Sequence, residues 1–527
     1  MTRHDPASAI LAAADRTAAP PLAPDLARDG RPVAVVIGAG FGGLAAAVRL
    51  GVRGYRAVVL DRLDMPGGRG SCLLRGGYRF DLGPTIVTVP QVFEALWGLV
   101  GRRMAEDVDL RPLDPYYTIR WPDGSTFAAC GDTERMRAEI ARLSPGDVAG
   151  YDRFLADSEA RYRIAYADLG RRPMHRLWET IRVLPDFARL RADRSSYGHA
   201  AVRFRDERLR MAMSFHPLFI GGDPFNVTSM YILVAHLEKA YGVHYAMGGT
   251  GALARAVAGL VAETGGEIRH EVTVDEILVR DGRARGVRLE GGEEIAADVV
   301  VSNADAGHTY RHLLRRVPKA RWTDRRLRRS RWSSGLFVWH FGTRGTRAMW
   351  PDVGHHTILN GPRYRGLCED IFIKGRLAED MSLYLHRPTT TDPSAAPEGC
   401  DSFYCLAPVP HLGHDWPVDW GVEAARFKER MAAVLEREAL PGFAERIVEE
   451  HVMTPADFGT RYLSPFGAGF SLEPRILQSA WFRPHNRSEE VRGLYLVGAG
   501  SHPGAGLPGV VGSAEVIDQL VPDPVPA

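Results

Sequence analysis

Residues 31–70 read RPVAVVIGAGFGGLAAAVRLGVRGYRAVVLDRLDMPGGRG. Val33 to Ile37 is a short apolar run rich in β-branched residues, bounded by Pro32 and Gly38, which is the pattern of a buried parallel strand. Gly38-Ala39-Gly40-Phe41-Gly42-Gly43 follows directly. Gly38 permits a tight turn, Gly40 lets the main chain approach a pyrophosphate, and Gly43 lets the next helix pack close against the sheet. That helix continues through Ala45, Ala46 and Ala47, and its start faces the phosphate charge. Gly54 ends it, and Ala57 to Leu60 form a second strand. This strand delivers Asp61, 18 residues after Gly43, where a ribose hydroxyl needs an acceptor. A glycine fingerprint alone is a weak signal, because glycine-rich turns also form for backbone reasons. Strand, turn, helix, strand and acid in this order make a dinucleotide site the stronger reading.

The next loop helps to decide which dinucleotide. In DMPGGRG, residues 64–70, Gly67 and Gly68 bring backbone N–H groups toward the pyrophosphate and Arg69 adds positive charge. A plain surface turn is the competing reading. An enzyme that also used a nicotinamide would carry a second strand-GxGxxG-helix unit, and none follows downstream. One tightly held FAD is the economical expectation. The closing stretch, GLYLVGAGSHPGAGLPGVVGSAEVIDQL at 493–520, supports it. Leu494 to Val497 reads as another buried strand, Gly498 to Pro508 as a glycine-rich turn and Gly509 to Leu520 as a helix. The amides at that helix start would stabilise negative charge on a reduced flavin ring.

The 527 residues exceed one ordinary domain, so separate cores are expected. A formal charge of +2 does not mark a nucleic-acid binder. Five cysteines, odd in number and without a CxxC pair, fit a reducing compartment and hence a cytoplasmic location. No apolar run approaches the length of a membrane span.

Residues 145–245 carry helix-like segments, among them RRPMHRLWETIRVLPDFARLRADR at 171–194, where Leu177, Ile181 and Leu184 fall on one side. Two readings compete, a domain-packing helix with a solvated basic face and a membrane-surface helix. A second basic cluster, RRVPKARWTDRRLRRSRW at 315–332, alternates arginine with Trp322 and Trp332, and anionic lipid head groups suit it better than nucleic acid. From Gly265 to Asp305 short β-rich runs are broken by Asp281-Gly282 and Gly291-Gly292, which reads as a meander returning to the first sheet.

The expected fold is α/β: a discontinuous Rossmann-like FAD-binding domain, a mixed-sheet substrate domain and a helical membrane-facing lobe. Its FAD-binding parts are 31–90, 245–305 and 488–521. The helical lobe is 91–244 and the substrate domain 306–487, with tails at 1–30 and 522–527.

With both ends read, the chain resembles the bacterial-type phytoene desaturases, FAD-dependent carotenoid desaturases of the wider flavin amine oxidase superfamily. The resemblance runs from Val33 to Leu520. It is carried by VIGAGFGGLAAAVRL, DMPGGRG, YRFDLGPTIVTVP, SFHPLFIGGDPFNVTSMY, GVHYAMGGTGAL, VVSNADAGHTYRHLL, SLYLHRPTTTDPSAAPEGCDSFYCLAPVPHLG, LQSAWFRPHNR and LYLVGAGSHPGAGLPGVVGSA. It implies FAD at Gly38, Gly40, Gly43, Asp61, Gly68 and Arg69, the main chain of Val272 near the adenine, and Gly500 and Ser501 near the ribityl chain and ring. Val510 and Val511 would lie below the isoalloxazine; Phe41, Gly42, Arg62, Gly67 and Gly509 complete the expected set. Asp61 stands where many relatives use Glu, and it can accept the same ribose hydrogen bonds.

The implied reaction removes two hydrogens from adjacent carbons of phytoene, as a hydride to flavin N5 and a proton, giving a more conjugated carotene such as neurosporene or lycopene. For the proton, Glu179 and Arg182 are three apart on one helix face, so a carboxylate steadied by a guanidinium is expected on the tunnel wall, against an ordinary surface ion pair. His355-His356 suggests a metal, yet strand neighbours point to opposite faces and no further ligand set stands nearby in sequence, so no metal is expected. His485, in FRPHNR, is expected to be structural. The expected partners are a C40 carotene and an anionic membrane surface on which the protein docks peripherally, without nucleic acid; a homo-oligomer stays open. Alternatives are a later carotenoid desaturase or isomerase, a flavin oxidase of amines or porphyrinogens, and a lipid carrier without flavin.

Overall fold

Five short strands form a parallel sheet in the order Glu267–Arg269, Arg56–Leu60, Val33–Ile37, Val299–Ser302 and Leu494–Leu496. The structure is a computed structural model describing residues 30–415 and 417–525, so the expected tail before Gly30 and the end of the tail after Val525 lie outside the described residues. Side chains alternate across the sheet. Ala34 and Val36 pack toward the helices Phe41–Val52, Gly249–Glu263 and Leu507–Asp518, whereas Val35 and Ile37 pack toward a three-stranded meander. Both faces are covered, which is why the strands inside the edge strand Glu267–Arg269 read as largely apolar runs. The glycine turn opens at the carboxyl end of Val33–Ile37, between neighbours that come from distant parts of the chain, the usual place for a ligand crevice in such sheets.

The meander is Val274–Arg280, Arg283–Leu289 and Glu294–Ala296, antiparallel throughout. Its first turn, at Asp281 and Gly282, has φ of 51° and 69°, which an Asp-Gly pair adopts readily. The chain then enters the parallel sheet at Val299.

A second, mixed sheet has seven strands in the order Ile447–Met453, Gly335–Thr343, Asp401–Val409, Leu383–His386, His356–Leu359, Tyr117–Arg120 and Thr126–Ala129. Its pairs are antiparallel except His356–Leu359 with Tyr117–Arg120. Phe337, Trp339 and Phe341 pack under the helix Trp420–Glu438, while Leu336 and Val338 turn to the opposite face. Two strands of this sheet come from the span 91–244, so that span is not wholly helical. The alternation of Tyr117 and Ile119 with Thr118 and Arg120 is the strand signal there.

The helices Gln91–Leu99, Thr133–Leu143, Val148–Arg161, Leu177–Arg189, Ser196–Arg203, Glu207–Ala212 and Leu233–Tyr241 make up most of the rest of that span. Leu177, Trp178, Ile181 and Leu184 are 47%, 51%, 55% and 52% exposed. Helix Leu177–Arg189 therefore leaves most of its apolar face open, unlike a domain-packing helix. The second basic cluster goes the other way. Trp322 and Trp332 are buried; the Trp322 indole donates to Glu489 at 3.0 Å beneath the Arg326 guanidinium, and the Trp332 indole donates to the Leu327 carbonyl at 3.0 Å. These tryptophans are core side chains and do not face a membrane, because their neighbours satisfy the indole N–H groups internally. Among the described residues no helix is long and apolar enough to cross a membrane.

Candidate functional site

The glycine turn is shaped by close packing. Gly38 has φ of 97° and its N–H donates to the Leu60 carbonyl at 2.8 Å. A Cβ on Gly43 would sit 2.0 Å from the Gly38 carbonyl oxygen, and one on Gly40 would sit 2.7 Å from the Asn303 amide nitrogen. Asn303 stands at the end of Val299–Ser302, donates to the Gly38 carbonyl at 3.3 Å and is approached by Gly40, Gly42, Gly43 and Gly498. The motif reading missed it, although a polar residue closing an apolar strand in VVVSNAD was a visible signal. The second loop is tied to the first, since the Gly67 N–H donates to the Ala39 carbonyl at 2.8 Å.

Asp61 ends its strand buried and accepts from the N–H of Ala39 at 2.5 Å and of Leu63 at 2.7 Å. Burial raises its pKa, and those two amides work in the opposite direction. Each carboxylate oxygen keeps a second lone pair, so the acid both braces the turn and can receive ribose hydroxyls. Arg62 points elsewhere, donating to the carbonyls of Thr460 and Arg461. Arg69 is half-buried beside Ser464 and Asp305.

These groups open on one cavity of about 810 Å³. Gly38, Gly40, Phe41, Asp61, Arg62, Gly67, Gly68, Arg69, Val272, Gly509 and Val510 line it. Gly42 and Gly43 lie behind the turn as packing glycines. Gly500, Ser501 and Val511 also stand back from the wall: Ser501 bonds the Gly498 carbonyl at 3.2 Å, and Val511 belongs to the core under the parallel sheet. The Val272 N–H is already committed to the Asp61 carbonyl at 2.9 Å.

FAD fits this chemistry. The Arg69 Nε is buried on the cavity wall without a hydrogen-bond partner among the described residues, as expected where a polar ligand completes the bonding. The helix Leu507–Asp518, with Pro508 in its first turn, directs its N-terminus into the same space. Arg483, fully buried, donates to the carbonyls of Ala499 at 2.6 Å and Ser501 at 3.1 Å and so holds the closing turn. His485 donates to the Trp481 carbonyl at 2.9 Å, a structural bond.

Beyond the nucleotide turns the wall is mostly apolar, with Leu218, Phe219, Leu233, Leu237, Leu406 and Phe470, and it reaches the open helix through Leu177, Ile181 and Leu184. The structure does not bring Glu179 and Arg182 together. Glu179 accepts from the Arg176 N–H at 2.9 Å as a cap of its helix, Arg182 is exposed, and neither lines the cavity. At the helix start a carboxylate finds free amides close by, which a spacing argument does not register. The wall instead holds Glu238, buried, accepting from the Tyr117 hydroxyl at 3.0 Å and facing His216 Nε2 at 3.3 Å. His355 and His356 are also not isolated: antiparallel pairing sets His386, thirty residues away, directly opposite His356.

The chain belongs to the flavin containing amine oxidoreductase family, whose model matches residues 41–515. Solved structures of that fold include an oxidoreductase from Methanosarcina mazei, at 18% identity and TM-score 0.62 over 92% of this chain and 100% of that one. An engineered putrescine oxidase aligns at 14% identity and TM-score 0.62 over 93% and 97%. Within the family the chain sits with the bacterial phytoene desaturases. It is 64% identical to the neurosporene-forming phytoene desaturase of Cereibacter sphaeroides over 93% of this chain and 94% of that protein. It is 45% identical to the lycopene-forming one of Pseudescherichia vulneris over 92% and 98%.

Proposed function

We propose that this protein is an FAD-dependent desaturase that converts phytoene to a more conjugated carotene, neurosporene or lycopene. The observation that carries this reading is the continuous apolar cavity between the nucleotide turns and an open apolar helix, since a carotene offers no polar handle and must be held by shape. When bound, FAD supplies the acceptor for the departing hydride. The chain's residues align the polyene and exclude water; the carbons to be oxidised are flanked by double bonds, so positive charge developing there is delocalised. Glu238 is a buried carboxylate on the apolar part of that wall; Tyr117 and His216 hold its Oε2 and so orient the side chain, and the carboxylate is the group we assign to receive the proton.

The substrate dissolves in bilayers, and the cavity ends at exposed Leu177, Ile181, Leu184, Ile476 and Leu477. Arg176, Arg182 and Arg189, on or at the start of the same helix, and the preceding Arg172 are exposed. The protein therefore docks peripherally on the cytoplasmic face of an anionic membrane and draws its substrate from the lipid. The test is reconstitution of the purified protein with FAD and phytoene-loaded anionic liposomes, with products resolved by chromatography and absorption. Coloured products of longer conjugation are expected; unchanged phytoene with flavin bound overturns the reading.

A further inference from the structure

The strands His356–Leu359 and Leu383–His386 place His356 and His386 as direct cross-strand partners, which puts both side chains on one face. His355 precedes the first of these strands, and its ring swings back to within 4.8 Å of the His386 ring centre. The three imidazoles, all buried, bring one ring nitrogen each within 4.8 Å of one another, and His355 Nε2 lies 3.1 Å from His386 Nε2. An ion bound tetrahedrally at zinc–imidazole bond lengths holds its ligand atoms about 3.3 Å apart.

The outward nitrogens are already oriented. Thr391 Oγ1 is 2.7 Å from His355 Nδ1, and the Tyr384 hydroxyl is 2.7 Å from His356 Nδ1. With those hydroxyls accepting, His355 and His356 carry their protons at Nδ1 and keep their Nε2 lone pairs free, the tautomer that metal-binding histidines adopt; His386 Nδ1 is buried with no hydrogen-bond partner among the described residues. His355 and His386 can satisfy each other by sharing one proton, but His356 Nε2 is buried with no hydrogen-bond partner among the described residues.

We propose that His355, His356 and His386 bind one divalent first-row transition ion, zinc being the ion this donor set suits. Imidazoles without carboxylate ligands disfavour magnesium and calcium, and three protein ligands leave a fourth tetrahedral position for water. The site joins two strands of the mixed sheet. It lies behind Tyr384, whose ring lines the cavity and whose hydroxyl also bonds Thr85 on that wall at 2.5 Å. The ion would thereby fix the shape of the cavity wall, a role independent of FAD.

The test uses the full-length flavoprotein. Elemental analysis after exhaustive dialysis should give one zinc per chain, and cobalt(II) exchanged into the metal-stripped protein should give d–d bands at wavelengths beyond the flavin absorption. His386→Gln, with flavin content confirmed, should lose both signals. Thr391→Val should weaken zinc binding about 10- to 100-fold by releasing His355, whereas His411→Gln, in the separate His411–His414 pair, should leave it unchanged. Protein free of zinc that also yields no cobalt bands, or His386→Gln binding zinc as tightly as the parent, would show a hydrogen-bonded histidine cluster and overturn the site.

Discussion

Membrane docking through helix Leu177–Arg189 gives a prediction with a calculable size. Trp178 and Ile181 are 51% and 55% exposed, so each has about half its apolar surface left to bury in lipid. Full burial of a large apolar side chain is worth roughly 1.5–3 kcal/mol, so the exposed half contributes about 1 kcal/mol. The double variant Trp178→Ser with Ile181→Ser should therefore lose about 2 kcal/mol of membrane affinity, about a 30-fold fall in partition constant. Co-sedimentation with vesicles of anionic phospholipid reads this directly, with flavin absorbance confirming that the fold is retained. Leu74→Ser is the control: Leu74 is 63% exposed but lies in the hairpin strand Cys72–Arg75, away from the cavity mouth. A double variant that partitions like the parent, or like Leu74→Ser, refutes docking by this face.

Three further outcomes follow from specific contacts. Gly43→Ala puts a Cβ 2.0 Å from a backbone carbonyl that cannot yield, so the purified protein should carry little or no flavin, read from its absorption near 450 nm. Glu238→Gln should keep its flavin but slow turnover of phytoene about 100-fold or more, in the range of lost general base catalysis; turnover within twofold of the parent would remove Glu238 from the reaction. Burial raises the Asp157 carboxyl, but hydrogen bonds from His199 at 2.9 Å and Arg203 at 2.6 Å outweigh it and hold the pKa at about 2. A folded-state pKa below the ordinary 3.8 means this stabilisation is present above pH ~4 and lost as pH falls toward 2, about 2 kcal/mol in all. Urea unfolding from pH 6 to 2.5 should show that loss in the parent and a flatter profile in Asp157→Asn.

The parts of the site that were legible in the sequence are those where one short segment contains its own physical reason. Gly38 to Gly43 spell out a turn because each glycine answers a local steric demand, and Asp61 follows at a spacing set by one helix and one strand. What escaped was chemistry assembled from separate segments. Asn303 completes the turn from 260 residues away, a distance no local spacing encodes. The same limit misled the histidine reading: neighbours on a strand do diverge, but the third ring comes from the next strand across, and cross-strand register is fixed by pairing rather than by sequence separation. Glu179 and Arg182 failed for a different reason. Helical spacing placed them on one face, but a carboxylate in the first turn has unpaired backbone amides within reach, and Glu179 spends its charge on the Arg176 N–H. The apolar residues interleaved with them showed the opposite outcome. Leu177, Ile181 and Leu184 followed the helical period as expected, yet only the tertiary structure revealed that no other described residue covers them. An amphipathic pattern specifies that a face seeks an apolar partner, and whether that partner is protein or lipid is decided by what the rest of the chain leaves at the cavity mouth.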